Sequence, residues 1–406
     1  MRSTDSNFPA TRTTRTAATW WAGLMALAAL LVAGCAAPQA TSSDIELPFD
    51  QAVAQATDSL VKQTQSLPAF IAKFAKRGVV LDPMLDAGTG EQTNATQMLE
   101  KRVTERLASN AADLIDVLAF QTANLTRAQY LLTGTMVRAQ GGKKTLRINL
   151  ALTELKSGNV VAQAGALARD EGLDHTPLPF YLDSPVLVKD KVIDGYIATS
   201  STPPGQRADA YYMERIAVAT VIADANTLYN AERYQDALAQ YRAAGGTAAG
   251  DQLRVLDGIY LSTMKLGRLA EAETAFGRVV AYGIANNQLG VKFLFNPGST
   301  VFWSDPKISG PYVMWLRQIA REGNSAKACM DIVGHTSHTG SPQTNDTLSM
   351  QRATFIRQRL GAESAELAAR TKPLGMGFRE NIVGSGTDNA VDALDRRVEF
   401  KIVPCA

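Results

Sequence analysis

Cysteine is scarce in this chain. Only Cys35, Cys329 and Cys405 occur in 406 residues, too few for a disulfide scaffold or for a cysteine-built metal site. Histidine is equally sparse, at His175, His335 and His338. Zinc needs three or four suitably placed ligands, so the His335/His338 spacing alone does not make a metal site. There is no G-x-S-x-G elbow and no H-E-x-x-H, which leaves nucleophilic and metalloprotease chemistry without its residues. No excess charge of either sign is present. Removing Arg2, Arg12, Arg15 and Asp5 with an N-terminal leader leaves 38 basic and 38 acidic residues from the totals of 41 and 39. A balanced chain lacks the basic face that phosphate neutralisation demands, and nucleic acid binding is set aside. The expectation is a protein with no enzymatic activity and no cofactor, long enough for two or three domains.

What is present begins at the N-terminus. Residues 17–33 are uncharged, rich in Ala and Leu, and preceded by the three arginines. The run is shorter than the roughly 20 apolar residues of a membrane span, so it reads as an export signal. Val32-Ala33-Gly34-Cys35 resembles a bacterial lipobox. That resemblance implies cleavage after residue 34 and acylation of Cys35, and each buried CH₂ of the acyl chains contributes about 0.8 kcal/mol of membrane binding. Ala36 stands where an inner-membrane retention signal would place Asp, which points to a lipid anchor in the outer membrane facing the periplasm. The alternative is an ordinary secretory signal with a coincidental cysteine. In an exported protein, Cys329 and Cys405 are either one disulfide or two buried thiols.

Composition divides the remainder into segments. Residues 35–46 are small and polar, a lipidated tether. Residues 47–175 read as an α+β domain with antiparallel strands: a helix over 49–61, a buried strand at 79–81, and strands over 130–137 and 145–155 about the turn Gly141-Gly142-Lys143-Lys144. In the second of these, Leu146, Ile148, Leu150 and Leu152 alternate with wetter residues, as on a sheet with one packed face. The segment Asp82-Pro83, Asp86 and Thr89-Gly90-Glu91-Gln92-Thr93, together with the hairpin, resembles the periplasmic domain of CsgG-type and LpoB-type outer-membrane lipoproteins. Pro177, Pro179, Pro185 and Pro203-Pro204 mark residues 176–206 as an extended connector. Over 207–286, Tyr234, Ala237, Tyr241 and Ala244 recur 35 residues later as Leu269, Ala272, Phe276 and Val279. Large and small residues at this spacing suit closely packed antiparallel helices. The pattern resembles two tetratricopeptide repeats and implies a concave face for an unidentified envelope protein; a generic helical hairpin linker is the alternative.

Residues 287–406 resemble the OmpA-like peptidoglycan-binding domain. Strands are expected over 291–295, 329–333, 371–378 and 396–403, with a helix over 307–322. Gly334-His335-Thr336, Gly340, Asn345, Leu348-Ser349, Arg352-Ala353 and Leu394-Asp395-Arg396-Arg397-Val398 carry the likeness. The resemblance implies a βαβαββ fold with a mixed four-stranded sheet, in which the last strand lies between the first two and brings Cys405 to Cys329 as a disulfide. It also implies capture of the diaminopimelate part of the peptidoglycan stem. A carboxylate-bearing ligand calls for an arginine fork and backbone N–H groups at a helix start. Arg352 stands at the arginine position, Asn345 and Leu348 at the pocket wall, and Thr336 and Gly340 on the loop. Ser337 stands where the family has the acid that meets the ligand's amine. A hydrogen bond to a charged group contributes about 1.5–3 kcal/mol, so the loss implies binding weaker by about one to two decades or altered in specificity, with His338 and Asp346 as candidate substitutes. The fold class is thus α+β and multidomain, and the function a noncatalytic link between outer membrane and peptidoglycan. The alternative is an accessory or regulatory component of an envelope secretion or cell-wall synthesis machine.

Overall fold

The computed structural model describes residues 41–65, 76–139, 144–186, 189–382, 384, 386, 388 and 391–405. Cys35 and the leader lie outside them. Among the described residues the strands form two sheets. The first has seven strands, β1 (Thr41–Leu47), β2 (Arg77–Leu81), β3 (Leu85–Asp86), β4 (Ile115–Leu118), β5 (Tyr130–Arg138), β6 (Thr145–Glu154) and β7 (Val160–Arg169), in the order β1-β7-β6-β5-β2-β4 with β3 beside β5. The β5–β6 and β6–β7 pairs are antiparallel, but β1 with β7, and β2 with both β4 and β5, run parallel. The expectation of an antiparallel sheet is corrected to a mixed one.

Helices cover both faces of this sheet. On one face lies α1 (Phe49–Gln65), with α2 (Asn94–Asn110) in the same core. Ala162, Ala164, Ala166 and Ala168 stand on one side of β7 with the strand's period of two, and Ala52 and Ala56 of α1 meet that core, so small residues let helix and sheet approach closely. On the other face, Val80 and Leu131 pack against Val192, Ile193 and Tyr196. The last three belong to α5 (Lys191–Ser200), inside the span expected to be an extended connector. That span also holds α4 (Pro179–Asp183). Proline starts a helix here rather than preventing one: Pro179 opens α4 at a position whose N–H needs no helical partner. Asp190 caps α5 by accepting the amides of Val192 and Ile193.

A short α3 (Thr122–Leu125) and α6 (Ala210–Met213) complete this part of the chain. Two helical hairpins follow, α7 (Ile216–Asn230) with α8 (Tyr234–Gly245), and α9 (Leu253–Lys265) with α10 (Leu269–Ala285). Their turns place Glu232 (φ 59°) and Gly267 (φ 70°) in left-handed backbone, again 35 residues apart. Ala237, Tyr241, Ala244, Ala272, Phe276 and Val279 are buried, while Leu269 is 66% exposed. A Cβ at Gly258 would collide with the Tyr241 ring, so glycine sets the approach of α9 to α8.

The second sheet has four strands, β8 (Phe293–Leu294), β9 (Cys329–Gly334), β10 (Thr371–Gly375) and β11 (Arg397–Val403), in the order β10-β9-β11-β8. Here β10 is parallel to β9, and β11 is antiparallel to both β9 and β8. Val403 pairs with Cys329, and the Cys329 and Cys405 sulfurs are bonded across a Cα separation of 5.2 Å. The helices here are α11 (Pro306–Ser309), α12 (Tyr312–Ser325), α13 (Pro342–Glu363) and α14 (Ala365–Ala369). One apolar cluster runs from the hairpins into this sheet: the Phe276 and Trp315 rings stack at 5.3 Å, and Trp315 Nε1 donates to Tyr260 Oη at 2.8 Å. None of the described helices is long and apolar enough to cross a membrane.

Candidate functional site

Strand β9 ends at Gly334 and runs through His335-Thr336-Ser337 into the loop that starts α13. A Cβ on Gly334 would strike the Ser349 carbonyl, so glycine lets α13 rest directly on the strand end. Gly340, at φ 85°, turns the loop, and Ser341 caps α13 by accepting the Thr344 amide. Asn345 Nδ2 donates to the carbonyls of Thr339 at 2.7 Å and Ser341 at 3.1 Å, fixing that turn. Thr336 is buried, and its amide donates to the Gly377 carbonyl. Leu348 is half-buried.

Arg352 has no solvent exposure. Its Nε donates to Ser299 O at 2.9 Å, Nη1 to His335 O at 2.8 Å and Nη2 to Asn296 O at 2.9 Å, and burial, with Arg396 alongside, brings its pKa down to about 10. The expectation of an open fork aimed at a ligand carboxylate is therefore corrected. Arg352 holds three backbone segments together under the site and positions its floor.

Ser337, 4% exposed, donates its hydroxyl to Asp388 Oδ1 at 2.6 Å, and Thr339 Oγ1 lies 3.2 Å from Asp388 Oδ2. A carboxylate thus stands beside the serine although the serine itself brings none. Arg396, 1% exposed, donates Nη1 to the same Asp388 Oδ1 at 2.8 Å and Nε to Phe295 O at 3.2 Å. Asp388 adopts left-handed backbone at φ 57°, which aspartate tolerates better than most residues. Its amide donates to Asp392 Oδ2. Asp395 accepts from the amides of Ile382 at 2.5 Å and Gly384 at 2.7 Å, one on each oxygen. An asparagine there offers a single acceptor oxygen, which gives the aspartate a physical reason. The two candidate substitutes are engaged elsewhere: Asp346 pairs with Arg379 at 2.7 Å, and exposed His338 packs on Phe378 with ring centroids 4.3 Å apart. Asp388 was missed by sequence reasoning because its surroundings signal only a turn. Arg396 was read as part of a strand motif.

His335 and His338 do not converge, since one is buried and the other exposed. His335 Nε2 instead lies 3.4 Å from Glu399 Oε1 and 4.0 Å from Glu380 Oε2. One imidazole and two carboxylates are donors a divalent cation can use. Both acids already hold cations, however: Glu399 is 2.8 Å from Arg397 and Glu380 is 3.3 Å from Lys401. Burial pushes the Glu399 carboxyl up, but its bonds to His335 and Arg397 outweigh that and hold it far below the usual range, while burial lowers His335. The ion pairs run along β11 itself, Arg397 with Glu399 and Lys401 with Glu380, with His335 packed beside them.

No protein family matches the chain, and no curated protein matches it. Among solved structures, the peptidoglycan-associated lipoprotein from Burkholderia pseudomallei is 22% identical over 28% of this chain and 89% of its own, with a TM-score of 0.24. The cell wall anchor of the T6SS from Pseudomonas aeruginosa is 23% identical over 27% of this chain and 73% of its own, with a TM-score of 0.22.

Proposed function

We propose that this protein is a noncatalytic envelope tether, acylated on Cys35 in the outer membrane and holding the peptidoglycan stem peptide through the site at the end of β9. The helical hairpins of residues 216–285 are its surface for a protein partner. The observation that carries the reading is the Asp388 carboxylate seated on Ser337 and Thr339 and backed by buried Arg396. With its side chain 27% exposed, Asp388 offers a fixed anion at the rim to the amine of a diamino acid. Binding is modest because Arg396 neutralises much of that anion.

The test is co-sedimentation of the purified chain with isolated sacculi. Wild type sediments with them; Asp388→Asn binds about tenfold or more weakly; and adding Ser337→Asp to Asp388→Asn restores binding. A wild-type protein that stays in the supernatant removes the wall from the reading. Equal binding by Asp388→Asn removes this site from it.

A further inference from the structure

Away from the β9 site, a cavity of about 40 Å³ lies among the loop after β3, the segment joining α4 to α5, and the start of α9. A water needs about 10–15 Å³, so the space suits three waters or a small polar molecule that displaces about that many. Its wall carries Glu91, Asp190, Arg254 and Asp257 beside the rings of Phe180 and Tyr181. Asp190 and Asp257 are 1% and 3% exposed. Each has one oxygen engaged: Asp190 Oδ1 caps α5, and Asp257 Oδ2 accepts from Ser184 Oγ at 2.6 Å. The other oxygen of each, Asp190 Oδ2 and Asp257 Oδ1, is buried without a hydrogen-bond partner, and so is Arg254 Nε. A buried polar atom left unpaired is costly and rare in a native fold. Two orphaned acceptors and one orphaned donor among the residues lining one cavity are the imprint of something that supplies two donors and an acceptor.

We propose that this cavity binds a small molecule carrying both an ammonium and a carboxylate group, an α-amino acid of glycine or alanine size. Its ammonium donates to Asp190 Oδ2 and Asp257 Oδ1, its carboxylate accepts from Arg254 Nε, and its carbon atoms lie against Phe180 and Tyr181. A simple amine leaves Arg254 Nε unpaired, and a simple carboxylate leaves both aspartates unpaired. A metal ion does not fit this pattern: among the described residues the acids of this cavity do not bring three ligand atoms within 4.8 Å of one another.

Calorimetric titration of the full chain at pH 8 tests this with glycine and alanine, each beside methylammonium and acetate. The amino acids are expected to bind at least about tenfold more tightly than either half-molecule. Asp257→Asn, which keeps the side chain's size, and separately Arg254→Gln, on the half-exposed face of α9, each weaken them about tenfold or more, with circular dichroism verifying the fold. Should Asp257→Asn not fold, Arg254→Gln decides alone. Absence of binding by both amino acids, methylammonium or acetate binding as tightly as they do, or full affinity in a folded variant overturns the proposal.

Discussion

Around buried Asp82 and Asp257 and half-buried Glu91, where the seven-stranded sheet meets the helices, acids stand with few cations. Around β9 and β11, cations are buried with their partners in place. Asp82 meets the Tyr212 hydroxyl at 2.5 Å, and Asp257 meets Ser184. Burial lifts all three acids to about 7. In the C-terminal region Arg352 spends itself on carbonyls, Arg396 on Asp388 and Phe295 O, and Arg397 on Glu399. The difference teaches that one region seats each buried arginine on carbonyls or carboxylates, while the other leaves buried carboxyls that change charge near neutrality.

The largest effect that bears on this contrast comes from Arg352→Ala. It strips three backbone carbonyls of their donor and leaves a void under α13, so urea unfolding should show a loss of about 3–5 kcal/mol. A loss below about 1 kcal/mol breaks the comparison and returns Arg352 to a role facing ligand.

Second is the pH dependence. Between pH 4 and pH 7, a carboxyl whose folded pKa is about 7 and whose unfolded pKa is near 4 is protonated in the fold while ionised in the open chain. The stability it contributes is complete below the unfolded value and is lost as pH rises through 7, with a slope of up to about 1.4 kcal/mol per pH unit per group. Glu399 behaves oppositely: its lowered pKa stabilises above the unfolded value and fails as pH falls through the folded one. Unfolding measured from pH 4 to pH 8 should therefore show stability falling toward alkaline pH, and Asp82→Asn should flatten part of that slope. An unchanged slope in that variant removes Asp82 from the contrast.

Local pattern was legible, and long-range pairing was not. The alternation of Leu146, Ile148, Leu150 and Leu152 locates β6, and all four are buried. The parallel partners β1 and β4 carry no such signal, because what pairs with them is remote in the chain. The 35-residue recurrence located α8 and α10. It misjudged Leu269, since helix geometry turns Ala272 and Phe276 inward and leaves the first residue of α10 outside. At the site, Asn345 and Gly340 came from the family resemblance, and both stand in the turn before α13. Arg352 was found but given the wrong exposure, for a residue type does not reveal whether backbone carbonyls will consume it. Asp388 reaches Ser337 from 51 residues away, out of a segment whose glycines mark only a turn.

The smallest expected effect supplies the control. Arg379 Nη1 lies 2.7 Å from Asp346 Oδ1, as close as the buried pairs, yet the two side chains are 52% and 48% exposed. Water already solvates both charges, and holding two long side chains together costs entropy, so an exposed pair contributes about 0–1 kcal/mol and is screened by salt. Arg379→Ala should therefore change the urea midpoint little, and the change should shrink further in 1 M salt. Asp346 sits on α13 six residues before Arg352, so each substitution removes one positive charge that contacts or lies on the same helix. If Arg379→Ala costs as much as Arg352→Ala, then loss of a cation at α13, buried or not, governs stability. If it costs a small fraction, burial decides, and the distinction between the paired and unpaired interiors rests on desolvation.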